Sequence, residues 1–507
     1  MKKVLASPQG WISFVIALIV GAFYPLGFAP LEWWPISIFS VAALWWLLKD
    51  KTPKQAFWLG SFYGLGLFGV GVSWVYVSIN TFGNAPPVLA VFLTLLFVFI
   101  LSLFFAILGW LQAKFFSRFS LISQIILFSL SWLMLELARG SGFVSFPWLY
   151  MGYTQTSGPL LGIATWLGVH GLSLFLLMLS LLVAEFVIAR QDKAKHLLKL
   201  TVFLALGVIF SAWGLLNQPS KSQTLNIALV QPNIDQHKKW DRRFFAEIVN
   251  GMAQQTENYW GADLVVWPEA AIPAFDSQVD FILQDLQQKA LESHSQFITG
   301  IPIAQDQETY FAGIKMLGQQ QAEYRKQQLV PFGEYVPFAS ALRGLIDFFD
   351  LPMSSFSAGS SQQMPLSTEK ADLIPAICYE IAFSGLIQDL ANKADNHKFK
   401  AILTISNDTW FGKSWGPLQH FQIAKMRAIE TGLPVIRGTN NGLTAVINPF
   451  GQVLDQEPRF EKAVLAGAFP LFNRQTWFLQ YGYWTLFGLS LGLLILAFFL
   501  RKSPTDH

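Results

Sequence analysis

Long apolar segments separated by short polar loops dominate the first 216 residues and constrain the fold more than any other feature. A helix needs about 20 mainly apolar residues to cross the roughly 30 Å hydrocarbon core of a bilayer. The runs that can do so, alone or with tilt, are 11–29, 35–48 (a short one), 56–77, 87–112, 120–138, 160–189, 198–216 and, near the end, 477–500. Only 13% of the residues are charged, against about 25% in an ordinary soluble protein. We therefore predict eight transmembrane helices.

The charges of the connecting loops predict the orientation of these helices. Basic residues cluster before the first helix and after the second, fourth and sixth: Lys2, Lys3, Lys49, Lys51, Lys54, Lys114, Arg118, Arg190, Lys193, Lys195 and Lys199. The alternate loops, 78–86 and 139–159, contain only Arg139. Because basic loops stay in the cytoplasm, the region after the seventh helix should lie outside it. Arg501 and Lys502 follow the eighth helix, so both termini are predicted to be cytoplasmic.

The composition changes after the seventh helix and predicts a separate soluble domain. We expect a seven-helix membrane domain at 1–217, a polar linker at 218–223, a soluble domain at 224–470 and the eighth helix at 477–500. Within the soluble domain, strands are predicted at 225–230, 264–266, 297–299, 373–377, 401–405, 435–436, 443–447 and 464–468, and helices at 244–260, 279–293 and 419–431. Nearly continuous apolar strands alternating with helices are typical of an α/β fold with a covered sheet.

Cys378 is the only cysteine of the chain and follows the strand-like run 371–377. A single cysteine excludes an internal disulfide and a cysteine-based zinc site. A small buried hydrophobic residue is the ordinary interpretation of a free cysteine. The alternative is a nucleophile at the end of a strand, which requires a base and a group that stabilises negative charge.

Two further stretches place ionisable residues beside apolar runs. Glu269 follows the run 264–266 within the string W-P-E, and Lys326 and Glu334 flank a Leu-Val-Pro-Phe segment. Taken alone, each of these side chains would be interpreted as solvated surface charge. Together with Cys378 they supply a carboxylate base and a cation, which is the set that a thiol nucleophile needs.

Several other classes of function are not indicated by the sequence. The seven histidines lack the spacing of metal ligands, and the basic residues form no face with interleaved aromatics. A phosphate-binding loop of the form G-x-x-x-x-G-K-[ST] is absent from the sequence. We therefore expect no metal, no cofactor and no nucleic-acid partner.

The three reactive stretches resemble a known enzyme superfamily. W-P-E at Glu269, K-x-x-L-V-P-F-G-E from Lys326 to Glu334, and C-Y-E at Cys378 look like the triad strings of the nitrilase, or carbon–nitrogen hydrolase, superfamily. With the predicted helices, the whole chain resembles its membrane branch, the apolipoprotein N-acyltransferase family. Further similar strings are 231–234 leading to Trp240, 406–412 with Trp410, 437–442, and 146–153 with Trp148. Pro232 stands where family members often have glycine.

The resemblance implies a fold and a role for each residue. It implies an α-β-β-α sandwich in which Cys378 is the nucleophile, Glu269 the base and Lys326 the cation that stabilises the oxyanion. Glu334 would assist this charge network, while Tyr379 and Glu380 would line the site. Expected substrate contacts are Trp240, Trp410, Trp148 and Arg139. For Trp240 and Trp410, ordinary packing is an alternative of at least equal weight, because tryptophan is common in this chain. For Arg139, a structural pair with Glu136 is an equal alternative.

The implied reaction moves an acyl chain from a membrane phospholipid, through a thioester on Cys378, to the N-terminal amine of the diacylglyceryl-cysteine of bacterial apolipoproteins. The expected partners are the phospholipid, the diacylated apolipoprotein and the bilayer, and the chain is expected to be a monomer. Its expected location is the bacterial inner membrane, with the catalytic domain on the periplasmic side. Two alternatives remain open: a membrane-tethered amidase of the same superfamily, and a non-catalytic membrane scaffold.

Overall fold

The computed structural model describes residues 8–142, 145–189, 191–216, 222–306, 308–337 and 355–500. These described residues form two compact units. One lies within Met1–Thr81, Ala85–Leu216 and Tyr481–His507, and the other within Phe82–Asn84 and Asn217–Gln480. Most of the predicted linker and the basic residues at both chain ends lie outside the described residues, so the domain boundaries given above stay a prediction.

The helices are numbered in chain order. Those before the soluble region are α1 Pro8–Phe23, α2 Trp34–Leu48, α3 Pro53–Gly71, α4 Val75–Val77, α5 Pro87–Lys114, α6 Leu121–Arg139, α7 Ala164–Ile188 and α8 Lys193–Leu216. Those that follow are α9 Gln236–Lys239, α10 Phe245–Thr256, α11 Asp280–Glu292, α12 Ser384–Lys393, α13 Gly416–Thr431, α14 Trp477–Tyr481 and α15 Trp484–Phe499.

Length and composition identify the helices that can cross a membrane. Among the described residues, four qualify: Pro87–Arg118, Leu121–Arg139, Leu161–Ile188 and Lys193–Leu216. A fifth span results if α3 and the segment Val75–Phe82, which are bent by 60° at their junction, are counted as one. Three apolar helices, Trp11–Gly27, Trp34–Leu48 and Trp484–Phe499, are shorter. The structure thus has an apolar helical region with four or five candidate spans.

Helix α5 shows why these segments suit lipid. The helix is apolar around its whole circumference. Phe92, Leu95 and Phe99 are each about half exposed or more. A helix that is hydrophobic all round requires an apolar environment on every face. Its other face packs closely against α3, where a Cβ atom built on Gly60 would overlap the carbonyl oxygen of Phe105.

The start of α3 is determined by local hydrogen bonds. Thr52 accepts a bond from the backbone N–H of Gln55, and the Gln55 side chain accepts one from the backbone N–H of Thr52. This reciprocal pair is a capping box, which satisfies two N–H groups that a helix start leaves without partners. Pro53 occupies the first turn, where its missing N–H costs nothing.

The second unit contains twelve strands in the part of the chain that the structure describes. They are β1 Gln223–Gln231, β2 Leu264–Val266, β3 Gln296–Ala304, β4 Tyr310–Leu317, β5 Ala322–Arg325, β6 Leu366–Ser367, β7 Ala371–Ile377, β8 Phe399–Ser406, β9 Val435–Thr439, β10 Ala445–Ile447, β11 Val453–Gln456 and β12 Ala463–Leu471. They form two six-stranded sheets, in the orders β12-β1-β2-β3-β4-β5 and β11-β10-β9-β8-β7-β6.

Helices cover the outer faces of both sheets. Ile248 and Met252 of α10 and Leu283 and Leu286 of α11 pack with β1, β2 and β3 in one hydrophobic core. Helices α12 and α13 contact the second sheet, and strands of the two sheets contact each other. The result is the predicted α-β-β-α arrangement of layers.

The strands predicted from the sequence lie within or overlap β1, β2, β3, β7, β8, β9, β10 and β12, and the predicted helices overlap α10, α11 and α13. The sequence analysis missed β4, β5, β6, β11, α9 and α12. Strand β11 is exposed at all four positions, and β5 reads Ala-Glu-Tyr-Arg. Neither strand has the apolar run on which the other predictions were based.

Gly60→Ala should destabilise the helical unit by about 1–3 kcal/mol, the usual cost of overpacking a close contact. Gly69→Ala is the matched control, because Gly69 lies in the same helix with open space around its Cβ position. Thermal unfolding of the full chain in detergent should show a lower midpoint for Gly60→Ala only. Equal midpoints for the two variants would contradict the close approach of α3 and α5.

Candidate active site

The three residues predicted to act together follow strands that end at the same side of the sandwich. Glu269 follows β2 and Lys326 directly follows β5, both in the first sheet, while Cys378 directly follows β7 in the second. Strands β7 and β8 are parallel, and so are β1, β2 and β3. Reactive side chains are commonly held at the carboxyl ends of parallel strands, where the backbone is fixed and the side chain is accessible.

Lys326 lies between two carboxylates. Its Nζ atom is 2.6 Å from Glu334 Oε1 and 3.5 Å from Glu269 Oε1, and its side chain is fully buried. Burial acts to lower the pKa of Lys326, but the charges of Glu334 and then Glu269 outweigh it and raise the pKa. The ammonium therefore stays protonated at any physiological pH.

Each carboxylate has a second contact that holds it in place. Glu269 Oε2 accepts a hydrogen bond from the backbone N–H of Asn407, at 2.7 Å, just beyond β8. Glu334 Oε2 accepts one from the backbone N–H of Val330, at 2.8 Å. Burial raises the pKa of Glu334, against the opposing effect of Lys326. The three groups form one charge network that spans both sheets.

Cys378 is partly exposed and interacts electrostatically with the same network. Desolvation, together with the negative charge of Glu269, raises the pKa of the thiol, while Lys326 lowers it. The thiol is therefore protonated at neutral pH and needs a base before it can attack. Its backbone has φ of 50°, which is unusual for a residue that carries a Cβ atom.

The neighbours of Cys378 have different environments. Tyr379 is buried and packs edge to face with Phe383, at 5.2 Å between ring centroids. Glu380 is fully buried and accepts hydrogen bonds from the backbone N–H groups of Ile377, Gln327 and Gln328 and from the hydroxyl of Tyr324. Its carboxylate thus ties the end of β7 to the segment that follows Lys326.

The expected substrate contacts lie in both units. Trp240 and Trp410 are partly exposed and belong to the second unit, at the end of α9 and in the turn Asp408–Phe411. Trp148 and Arg139 belong to the helical unit, and both are buried. Trp148 packs against Trp74 and Phe146, and the Arg139 guanidinium lies over the rings of Phe68 and Tyr150.

The sequence analysis missed a second lysine near the site. Lys239 is 1% exposed, and its Nζ donates a 2.9 Å hydrogen bond to the backbone carbonyl of Glu269. Burial lowers the pKa of Lys239 to about 8, although the charges of Glu269 and Cys378 oppose the shift. The only signal in the sequence was its position directly before Trp240.

The sequence analysis also missed a cluster of three buried residues, Asp408, His420 and Arg437. His420 contacts the backbone carbonyl of Cys378, and Arg437 donates a hydrogen bond to Asp408.

Comparison with known proteins shows which families this chain is similar to. Residues 226–477 match the carbon-nitrogen hydrolase family, and residues 20–182 match the apolipoprotein N-acyltransferase N-terminal domain. An amidase from Nesterenkonia sp. is similar in structure, at 18% identity and a TM-score of 0.36, over 54% of this chain and 98% of the amidase. Fold and sequence together define a protein with a carbon–nitrogen hydrolase domain and an apolar helical region.

Two curated relatives show which family within this class the chain resembles over nearly its whole length. Apolipoprotein N-acyltransferase of Pseudomonas putida is 39% identical over 97% of this chain and 98% of its own length. That of Vibrio parahaemolyticus is 39% identical over 96% of this chain and 97% of its own length. The chain belongs to the apolipoprotein N-acyltransferase family.

Glu380→Gln should lower the free energy of unfolding by about 1–3 kcal/mol, since whichever way the amide turns, its NH2 group faces a buried N–H donor. Tyr324→Phe removes only one donor to Glu380 and should cost about 0.5–1.5 kcal/mol. Denaturant unfolding of the full chain would measure both changes. A Glu380→Gln variant as stable as the wild type would contradict the role of this carboxylate in joining the two segments.

Proposed function

We propose that this chain transfers an acyl chain from a membrane phospholipid to the N-terminal amine of a diacylated apolipoprotein, through a thioester on Cys378. The observation that carries the proposal is that the thiol of Cys378, the carboxylate of Glu269 and the buried ammonium of Lys326 interact with one another in a member of this family. Glu269, Lys326 and Cys378 are the proposed catalytic residues. Glu334, Tyr379 and Glu380 are proposed to support them.

The first half-reaction begins with the thiol of Cys378. Glu269 accepts its proton as the sulfur attacks the ester carbonyl of the phospholipid. Lys326 stabilises the oxyanion that forms, a contribution worth roughly 3–4 kcal/mol for one donor in other enzymes. The C–O bond then breaks, the departing lysophospholipid oxygen takes the proton from Glu269, and the acyl group remains on sulfur.

The second half-reaction transfers the acyl group to the amine. Glu269 accepts a proton from the attacking nitrogen, Lys326 again stabilises the oxyanion, and the C–S bond breaks as the sulfur regains a proton. The sequence of linkages, from ester to thioester to amide, ends in the most stable of the three. The reaction therefore needs no nucleotide.

A membrane region suits an enzyme whose proposed acyl donor is a lipid. Bringing an acyl chain into water costs about 0.8 kcal/mol per methylene group. An enzyme that takes the acyl chain from a bilayer therefore benefits from being anchored in that bilayer.

We propose that the chain crosses the bacterial inner membrane eight times and is a monomer. The catalytic domain lies on the periplasmic side, and both termini lie in the cytoplasm. Trp240, Trp410, Trp148 and Arg139 stay proposed substrate contacts.

Intact-mass analysis of the purified protein tests the proposed chemistry. After incubation with phospholipid, the wild type should gain the mass of one acyl group, and a synthetic diacylated peptide should remove it as an amide. Cys378→Ala should gain no acyl mass. Release of free fatty acid without amide would indicate the amidase alternative. A wild type that forms no adduct would overturn the proposal and favour a scaffold.

Cysteine labelling tests the proposed orientation. The Cys378→Ala variant contains no cysteine, since the sequence has only one, so single cysteines can be added at Thr81 and at Lys54, both of which are exposed. In intact spheroplasts, a membrane-impermeant maleimide should label Thr81→Cys, whereas Lys54→Cys should react only after permeabilisation. Labelling of Lys54→Cys in intact spheroplasts would contradict the orientation.

A further inference from the structure

We infer that His420 is a positioning residue that holds the backbone of Cys378 in its reactive conformation, and that Asp408 and Arg437 orient its ring. The inference rests on the proposed role of Cys378 as the nucleophile. It assigns a task to a buried polar cluster that the reaction steps above do not use.

The backbone of Cys378 needs an external restraint. With φ of 50° it lies in the left-handed region, where the Cβ atom crowds the following peptide group. The residue directly follows β7, whose own strand geometry would favour an extended continuation. Non-glycine residues stay in this region only where their surroundings hold them, and such residues are common at active sites.

His420 supplies a contact at this position. It lies on α13, and its Nε2 atom is 3.1 Å from the backbone carbonyl oxygen of Cys378. A carbonyl oxygen can only accept, so Nε2 carries the hydrogen in this contact. The direction of that carbonyl sets the turn of the chain at the nucleophile, and with it the direction of the thiol.

The same geometry shows what His420 does not do. Its Nε2 atom is committed to the carbonyl of Cys378, and its Nδ1 atom faces Asp408 and Arg437, at 3.0 and 3.1 Å. Neither ring nitrogen is therefore available to accept a proton from the thiol. A cysteine–histidine pair of the kind found in other thiol enzymes does not fit, and Glu269 stays the proposed base.

A buried network orients the imidazole ring. Arg437 Nη2 donates to Asp408 Oδ2 at 2.8 Å, and the Ser406 hydroxyl donates to Asp408 Oδ1 at 2.6 Å. All four side chains are at most 2% exposed. Burial, and then the charge of Arg437, lower the pKa of His420. Nδ1 lies within hydrogen-bond distance of both Asp408 Oδ1 and Arg437 Nη2, so these two side chains hold the ring with Nε2 towards the carbonyl of Cys378.

Loss of the contact should affect reactivity more than stability. Without a donor at this position, the peptide at Cys378 can relax towards an extended conformation, which moves the sulfur relative to Glu269 and Lys326. A misplacement of about 1 Å can slow a reaction by roughly 100-fold. A core substitution elsewhere in α13 would destabilise the domain without releasing the carbonyl.

The test compares four variants of the full chain purified in detergent. His420→Leu removes the donor, His420→Gln can place an amide N–H near the Nε2 position, and His420→Asn has the same amide on a side chain too short to reach. Met426→Ala is the control for stability, because Met426 is a fully buried residue of the same helix. The readouts are the rate of Cys378 alkylation by iodoacetamide, the rate of acyl-adduct formation from phospholipid, and the melting temperature.

His420→Leu and His420→Asn should slow both reactions by about 10- to 100-fold, and His420→Gln should restore most of the rate. Met426→Ala should lower the melting temperature and leave both rates within about twofold. Wild-type rates in His420→Leu, no recovery in His420→Gln, or equal slowing in Met426→Ala would overturn the inference. If His420→Leu does not fold, the comparison of His420→Gln with His420→Asn decides.

The two proposals can fail separately. If the wild type forms no acyl adduct but alkylation still depends on a donor at position 420, the proposed acyl transfer is wrong and the positioning role holds. If the adduct forms and alkylation is the same in all the His420 variants, the positioning role is wrong.

Discussion

The buried ammonium of Lys326, held between Glu334 and Glu269, is the interaction on which the candidate site depends. Removing one partner from a buried ion pair is far more costly than the net stability that the pair contributes. The Lys326 contacts at 2.6 and 3.5 Å therefore fix the separation of three loops at once. Since Glu269 also accepts a bond from the backbone at Asn407, the same cluster sets the spacing between the two sheets.

The sequence predicts much of this arrangement because several signals are local. Apolar runs identify the strands that precede Glu269 and Cys378, and the string from Lys326 to Glu334 is continuous in the chain. The same runs predict an α/β fold with a covered sheet, whereas the α-β-β-α order of layers was implied by the family resemblance. In the helical unit, hydropathy identifies the apolar segments. It does not predict the bend of 60° after α3, because a bend depends on how the helices pack.

The parts that the sequence analysis missed depend on contacts between distant residues. In the sequence, Lys239 is one charge in a basic segment. In the structure, its ammonium donates a hydrogen bond to a backbone carbonyl 30 residues away. His420 lacks any metal-ligand spacing, and its partner at Cys378 is 42 positions distant. Glu380 was expected to line the site, and the structure adds that its buried carboxylate accepts hydrogen bonds from two separate backbone segments. Each of these contacts forms only when the chain folds.

The origin of the site residues in two different sheets also has a consequence for biosynthesis. Glu269 and Lys326 follow strands of the first sheet, and Cys378 follows a strand of the second. In a chain in which only one sheet has formed, either the thiol of Cys378 or the charged pair of Glu269 and Lys326 lacks the strands that position it. If the proposed mechanism holds, a newly made chain therefore carries out no acyl transfer until both sheets have formed and packed together.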